Sequence, residues 1–384
     1  MSTFNYNQFF NPWLQETQTY QAGKTFEYVM QVYGFSRDQI LRLAGNETTM
    51  GFSPLALQAA QEALASSNFY DEPHSEFLIK ALEDHFSSEG IDMSGLGMVV
   101  GTGMDSVIEH CLINFTNTND SIVNLPPTFI YYDFAARRRG LEVINVNREL
   151  INRDGLLSYE VSMDEILGAL KPNTKMVFLC SPNNPDGSII ELDFIKKLAE
   201  ALLEKNIILF VDHAYIEFCS RASYDARQII HQFPNMIIGY TFSKAYALAG
   251  FRVGYGLMHK ELKDKYLSLN TPFLCSRPSL AAAQTALKDQ EHLQKILDNN
   301  YRNRPILIKG LQDLGFKVYE SHSNFVLTEH PSKSSDELVE YLMSRGIIVR
   351  AIKTVNPKTV RITVGTDLEL ARLLAELKDW ALLQ

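Results

Sequence analysis

No dense block of basic residues, no apolar span of bilayer length and no cysteine-rich segment occurs in the 384 residues. Each absence removes a class of function. A net charge of -9, with Arg137-Arg138-Arg139 as the nearest thing to a basic cluster, argues against a nucleic-acid partner. Without a run of roughly 20 apolar residues, no membrane-spanning helix is expected. The four cysteines, Cys111, Cys180, Cys219 and Cys275, are spaced for neither a zinc site nor a disulfide framework. No metal is therefore expected, and a reducing cytosol is the default compartment. Residues 1–20 lack the basic start and apolar run of a secretory signal. No internal repeat or low-complexity segment interrupts the chain.

What is present is length and alternation. A chain of 384 residues, 46% hydrophobic, exceeds the size at which one core stops growing. We expect an N-terminal arm (1–45) that contributes to a small domain, a large domain (46–280) and the rest of the small domain (281–384). Short apolar runs at Met98–Val100, Ser121–Leu125, Glu142–Val146, Met176–Cys180, Ile207–Val211, Met236–Tyr240 and Arg252–Leu257 read as strands separated mostly by helix-length segments. Such alternation implies an α/β fold with a mostly parallel sheet wrapped by helices. Ser53-Pro54 opens a helix over Leu55–Ser66, and an amphipathic stretch over Ser279–Asp298 predicts one long helix leading towards the small domain.

The most informative segment runs from Tyr240 to Tyr255. It sets Lys244 among the hydroxyls of Thr241 and Ser243 and places Arg252 eight residues on. A lysine amine can condense with a carbonyl to form a Schiff base. Hydroxyls and a guanidinium together suit a phosphate, which needs several donors at once. A phosphorylated aldehyde, pyridoxal 5'-phosphate, requires both. Asp212 follows the apolar run Ile207–Val211 and so stands at a strand's carboxyl end, where ligands bind in such sheets. A carboxylate there can keep a pyridine nitrogen protonated and able to accept carbanion charge. Ser181-Pro182-Asn183-Asn184-Pro185-Asp186-Gly187 is a turn cluster after another apolar run. Singly each residue has a plainer explanation, such as a surface lysine, a helix cap or a surface ion pair; their joint order carries the reading.

In that order the chain resembles the fold-type I pyridoxal-phosphate aminotransferases, closest to their histidinol-phosphate branch, from about Leu43 to Asp367. The resemblance implies a seven-stranded, mostly parallel sheet with one antiparallel strand near Arg252. It implies that Gly101-Thr102-Gly103-Met104-Asp105 is the phosphate turn, that Phe129 stacks on the pyridine ring, and that Asn184 and Tyr215 hold its hydroxyl. It places Thr241, Ser243 and Arg252 on the phosphate, Lys244 on the aldehyde, and Arg361 on the substrate carboxylate beside Asn184. Tyr70 would reach the neighbouring subunit's cofactor, which implies a homodimer with shared active sites.

The resemblance fails where a substrate phosphate would be held. The branch's Arg-x-Pro-Tyr/Phe-Asn segment aligns with Asn270-Thr271-Pro272-Phe273-Leu274, without the arginine or the asparagine. Each lost charge-assisted bond would cost about 1.5 to 3 kcal/mol, so an unphosphorylated amino acid is expected. Asn46-Glu47-Thr48-Thr49 replaces the branch's Asn-Glu-Asn-Pro turn, leaving Glu47 to meet a cationic side chain. Asp186, where the family has threonine, is expected to cap a helix, and His213 to face away from the cofactor. The expected activity is transamination. An elimination, dehydration or cyclisation of a polar or cationic, perhaps arginine-like, amino acid is the alternative. A non-catalytic descendant is disfavoured because Lys244 and Asp212 are both kept.

Overall fold

The computed structural model describes residues 5–8, 23–219 and 224–382. Part of the expected N-terminal arm, residues 9–22, and the stretch read for a secretory signal lie largely outside them. Seven strands form the main sheet: β1 (Leu96–Gly101), β2 (Ser121–Asn124), β3 (Glu142–Asn145), β4 (Thr174–Cys180), β5 (Ile208–Asp212), β6 (Met236–Thr241) and β7 (Gly254–His259). Their spatial order is β1-β7-β6-β5-β4-β2-β3. β7 runs antiparallel to both its neighbours, and the other pairings are parallel. Helices cover both faces, which is why β4, β5 and β6 read as continuous apolar runs rather than alternating ones. Met176, Val177, Leu209, Val211, Ile237 and Ile238 are all fully buried. Truncating one of the larger of these to alanine would cost about 2–5 kcal/mol.

The register gathers the chemistry-bearing positions at one edge. Cys180 pairs with Asp212, Asp212 with Gly239, Thr241 with Gly254, and Gly254 with Gly101. Four strands thus deliver their carboxyl ends, and antiparallel β7 its first residue, side by side at the edge where open α/β sheets bind ligands.

A second core lies around a four-stranded antiparallel sheet of β8 (Lys317–Val318), β9 (Phe325–Glu329), β10 (Arg350–Ala351) and β11 (Thr359–Thr363), ordered β8-β9-β11-β10. Leu307, Leu311, Val326, Ile362, Leu373 and Trp380 fill it. The segment before the first core joins this one: Leu41–Arg42 pairs in parallel with Ile347–Ile348, and Val29 and Ile40 pack on Met343 and Ile348.

One predicted helix is two. Arg277–Lys288 and Gln290–Asp313 are separated at Asp289, whose ψ of 67° leaves the helical region. Its carboxylate accepts from the His292 amide at 3.2 Å and from Ser53 Oγ at 2.5 Å. An aspartate that caps the next helix is a breaker that apolar periodicity does not register.

Candidate active site

At the carboxyl edge, the turn after β1 leads into the Met104–Phe115 helix with Gly103 at its N-cap, φ 81°. That left-handed φ favours glycine, and a Cβ there would also crowd Arg252 Nη2 at 2.5 Å. Gly254 is excluded from bearing a side chain for a similar reason, since its Cβ would collide with the Met104 amide. Arg252 itself sits in the left-handed region at φ 55°. Its guanidinium donates to Asp105 Oδ2 at 3.0 Å, Ser243 Oγ at 3.5 Å and the Ala249 carbonyl at 3.3 Å. Thr241 Oγ1 accepts from the Ser243 amide at 3.1 Å. A helix N-terminus, two hydroxyls and a guanidinium therefore converge, a donor set suited to a phosphate.

Across the sheet edge, Asp212 is 1% exposed. Burial pushes its carboxyl up to about 6, while hydrogen bonds from the Tyr132 hydroxyl and the Ala214 amide, the latter 2.9 Å long, work the other way. Lys244 lies between these two regions. Its Nζ donates to the Gly45 carbonyl at 3.0 Å and sits 5.8 Å from the Tyr215 ring. Burial, with the Arg361 guanidinium beside it, lowers the amine to about 8. Lys244 is near enough to Asp212 for its charge to help hold that carboxyl down.

On the second core's side, Arg361 projects from β11. It donates to Asn184 Oδ1 at 2.5 Å and to the Ala44 carbonyl at 3.1 Å. The Tyr215 hydroxyl accepts from Asn46 Nδ2 at 2.9 Å, and burial raises it well above its ordinary value. Phe129 is half-buried, its ring edge-on to Tyr132 at 5.5 Å.

Glu47 lies near enough to Lys244 for its charge to act on that amine, and its carboxylate is also joined to Arg42 at 2.5 Å. Tyr70 is not brought to this site within the chain; it is 78% exposed and stacks on Phe273 at 4.7 Å. Asp186 caps no helix. It is buried in the turn and accepts from Asn183 Nδ2 at 2.6 Å, while the following helix starts at Leu192. His213 is fully buried, its Nδ1 on the Ser181 carbonyl at 2.7 Å and its Nε2 accepting from the Ala226 amide at 3.1 Å. Sequence reading passed over Tyr132 and the amide of Asn46. Tyr132 stands in the first turn of the Tyr131–Arg138 helix, three residues after Phe129, and no helical spacing signals the pair because Phe129 precedes the helix.

Pyridoxal 5'-phosphate fits this arrangement: a phosphate-type donor set, a buried amine lowered towards neutrality, and a buried carboxyl for a pyridinium. Residues 38–377 match the family model described as "Aminotransferase class I and II". The chain belongs to the class I and II aminotransferases. Among this family, it is 34% identical over 365 residues to the histidinol-phosphate aminotransferase of Methanococcoides burtonii, covering 94% of this chain and 95% of the relative. It is 35% identical over 371 residues to that of Methanocella arvoryzae, covering 95% and 97%. The crystal structure of the Sinorhizobium meliloti histidinol-phosphate aminotransferase in complex with pyridoxal-5'-phosphate superposes with a TM-score of 0.82 at 26% identity, covering 97% of each chain. This aminotransferase is accordingly a pyridoxal-phosphate enzyme of fold type I. Among its described residues no cluster of ligands suits a metal ion, and no helix is long and apolar enough to cross a membrane.

Proposed function

We propose that this aminotransferase transfers the amino group of a free, unphosphorylated amino acid, in the cytoplasm, as a homodimer. One observation carries the substrate reading. Position 270, which aligns with the phosphate-gripping arginine of the histidinol-phosphate branch, is an asparagine whose Oδ1 accepts from Asn114 Nδ2 at 3.3 Å. The next arginine along the chain, Arg277, is engaged with Ser66 Oγ at 3.0 Å, the Tyr70 carbonyl at 3.3 Å and Asp71 at 3.7 Å. A phosphorylated side chain would meet neutral groups there, although the relatives above are named for a phosphorylated substrate.

The bound cofactor supplies an electron sink for charge developing at the substrate Cα. Around it, Gly103, Met104, Asp105, Thr241, Ser243 and Arg252 form the phosphate end. Phe129 would lie against the ring face, Asn184 and Tyr215 would serve the ring hydroxyl, and Asp212 would face the ring nitrogen. Lys244 would hold the aldehyde and serve as the base for the substrate's Cα proton; an amine lowered to about 8 is partly neutral at physiological pH, as a base must be. Arg361, held by Asn184 and Ala44, would grip the α-carboxylate and so orient the substrate Cα. Glu47, paired with Arg42 through Oε2, would meet a cationic substrate through its other oxygen or in exchange for that partner. Tyr70, exposed beside Phe273, would be the residue that reaches a second copy. We further infer that the two cores are a large domain, 46–280, and a small one, 281–384 with the 1–45 arm.

Incubating the loaded enzyme with single amino acids tests the reading. Conversion of the yellow cofactor to its amine form by an unphosphorylated amino acid, and not by histidinol phosphate, is expected. Turnover of histidinol phosphate at least as efficient as that of any free amino acid contradicts the substrate reading. Ammonia or a cyclic product without the amine form would instead indicate elimination or cyclisation.

A further inference from the structure

Tyr132 is fully buried, with its hydroxyl beside the Cys180 thiol. Its hydroxyl donates to Asp212 Oδ2. Its ring lies flat on Phe178 of β4, with centroids 4.7 Å apart and planes 13° from parallel. Its edge meets Phe129 at 5.5 Å and 86°. Phe178 is itself pinned between Tyr132 and Phe210, 5.3 Å away on the neighbouring strand β5. The tyrosine is thus wedged between the sheet and the two residues that would grip the cofactor ring from its face and from its nitrogen end.

We infer that Tyr132 is a positioning residue that sets both the Asp212 carboxylate and the Phe129 ring for the pyridine, and keeps that carboxylate an acceptor. The inference rests on the reading of Asp212 as the ring-nitrogen partner. A fully buried carboxylate needs donors to stay ionised. Asp212 has two fixed ones: the Ala214 amide on Oδ1 and the Tyr132 hydroxyl on Oδ2. Both are uncharged, so neither competes with a pyridinium as a salt-bridging cation would. Oδ2 can still accept a second bond, because a carboxylate oxygen has two lone pairs. The hydroxyl cannot surrender its own proton instead, since burial and the adjacent carboxylate raise Tyr132 well above the ordinary tyrosine value. The proton therefore stays on Tyr132, and the vacant acceptor site stays on Asp212. The other ionisable groups bearing on Asp212 are Cys180 at the end of β4, Tyr215 beyond β5, Lys244 beyond β6 and Asp105 on the Met104–Phe115 helix. None of these makes a hydrogen bond to its carboxylate.

Packing makes the same residue a spacer. Phe129 belongs to no regular element and is only half-buried. The Tyr132 amide donates to the Phe129 carbonyl at 3.4 Å, closing the turn that sets the ring's height above the sheet edge. One side chain then fixes the distance between a stacking face and a carboxylate.

Tyr132→Phe separates the roles, because it removes the hydroxyl and keeps the ring. In cofactor-free protein, the Asp212 carboxyl, followed by carbon NMR, should titrate about one pH unit higher than in wild type, tenfold in proton affinity. In the loaded enzyme with nitrogen-labelled cofactor, the ring-nitrogen signal should move towards the unprotonated position. Turnover should fall roughly ten- to hundredfold with KM within about twofold, the range for one lost hydrogen bond to a charged group. If the variant does not fold, 3-fluorotyrosine placed at position 132 is the second probe; its more acidic hydroxyl donates more strongly and should move the Asp212 midpoint down. An unmoved midpoint and unmoved ring-nitrogen signal overturn the inference. Asp212→Ala distinguishes the two levels. If it is inactive while Tyr132→Phe behaves as wild type, only the role of Tyr132 fails. If it retains wild-type turnover and ring-nitrogen signal, the reading of Asp212 itself fails.

Discussion

The two ends of the site differ in their access to water. At the ring-nitrogen end Asp212 and Tyr132 are essentially unexposed, whereas at the phosphate end Thr241 and Ser243 are buried but the charged side chains of Arg252 and Asp105 are 47% and 39% exposed. The same unit charge counts for much more in the first setting, because the interaction weakens with dielectric and is screened by salt where water reaches it. A dry end can rely on one acid with two donors. A wet end needs many donors together, and it is there that we propose a second copy adds Tyr70.

That contrast ranks the consequences of substitution. Lys244→Ala should be the most severe, with no borohydride-sensitive visible band and turnover lower by about a thousandfold or more, since it removes both anchor and base. Asp212→Ala, at the dry end, should lower turnover by about a hundred- to thousandfold, comparable to removing a preorganised electrostatic group. Arg361→Gln should raise KM for the amino acid roughly ten- to hundredfold, the cost of charge-assisted bonds to a carboxylate, with less effect on the visible band. At the wet end, Arg252→Gln should weaken cofactor binding by only about tenfold, and the difference from wild type should shrink in high salt. An Arg252 variant as damaging as Asp212→Ala, and insensitive to salt, would erase the distinction between the ends.

Acidity sharpens the comparison further. Lys244 has a value of about 8, below the ordinary lysine range, so its neutral fraction grows as pH rises through about 8. The rate at which cofactor-free protein captures pyridoxal phosphate should climb through that pH and level off above it. A rate still rising tenfold per unit at pH 10 would mean that the amine is not lowered at all. The folded protein binds that proton more weakly than the unfolded chain does. Its contribution to stability therefore improves between about 8 and the ordinary lysine value, and is unfavourable below.

Much of the dry end was readable beforehand because it is built from strands whose burial leaves long apolar runs. Ile207–Val211 followed by Asp212 announces a strand end, and the observed β5 closes on that residue. Glycine at 103 and arginine at 252 were legible for a different reason, since a left-handed turn and an anion-suited cation leave a composition signal at short range. Tyr132 escaped notice because its partner lies 80 residues away, and no local pattern encodes a hydrogen bond between a helix and a distant strand end. Asp289 escaped for the opposite reason. Its effect is local, but a capping aspartate inside an amphipathic run is outvoted by the periodicity around it. Glu47 looked unpaired because sequence does not show that Arg42, five positions earlier, folds back onto it.

The most direct test of the whole account is where the cofactor attaches. Borohydride reduction of the loaded enzyme followed by peptide mapping should place the cofactor's mass on the peptide containing Lys244, and a Lys244→Ala protein should carry none. Cofactor recovered on any other lysine, or an unchanged visible band in the Lys244→Ala protein, would contradict it.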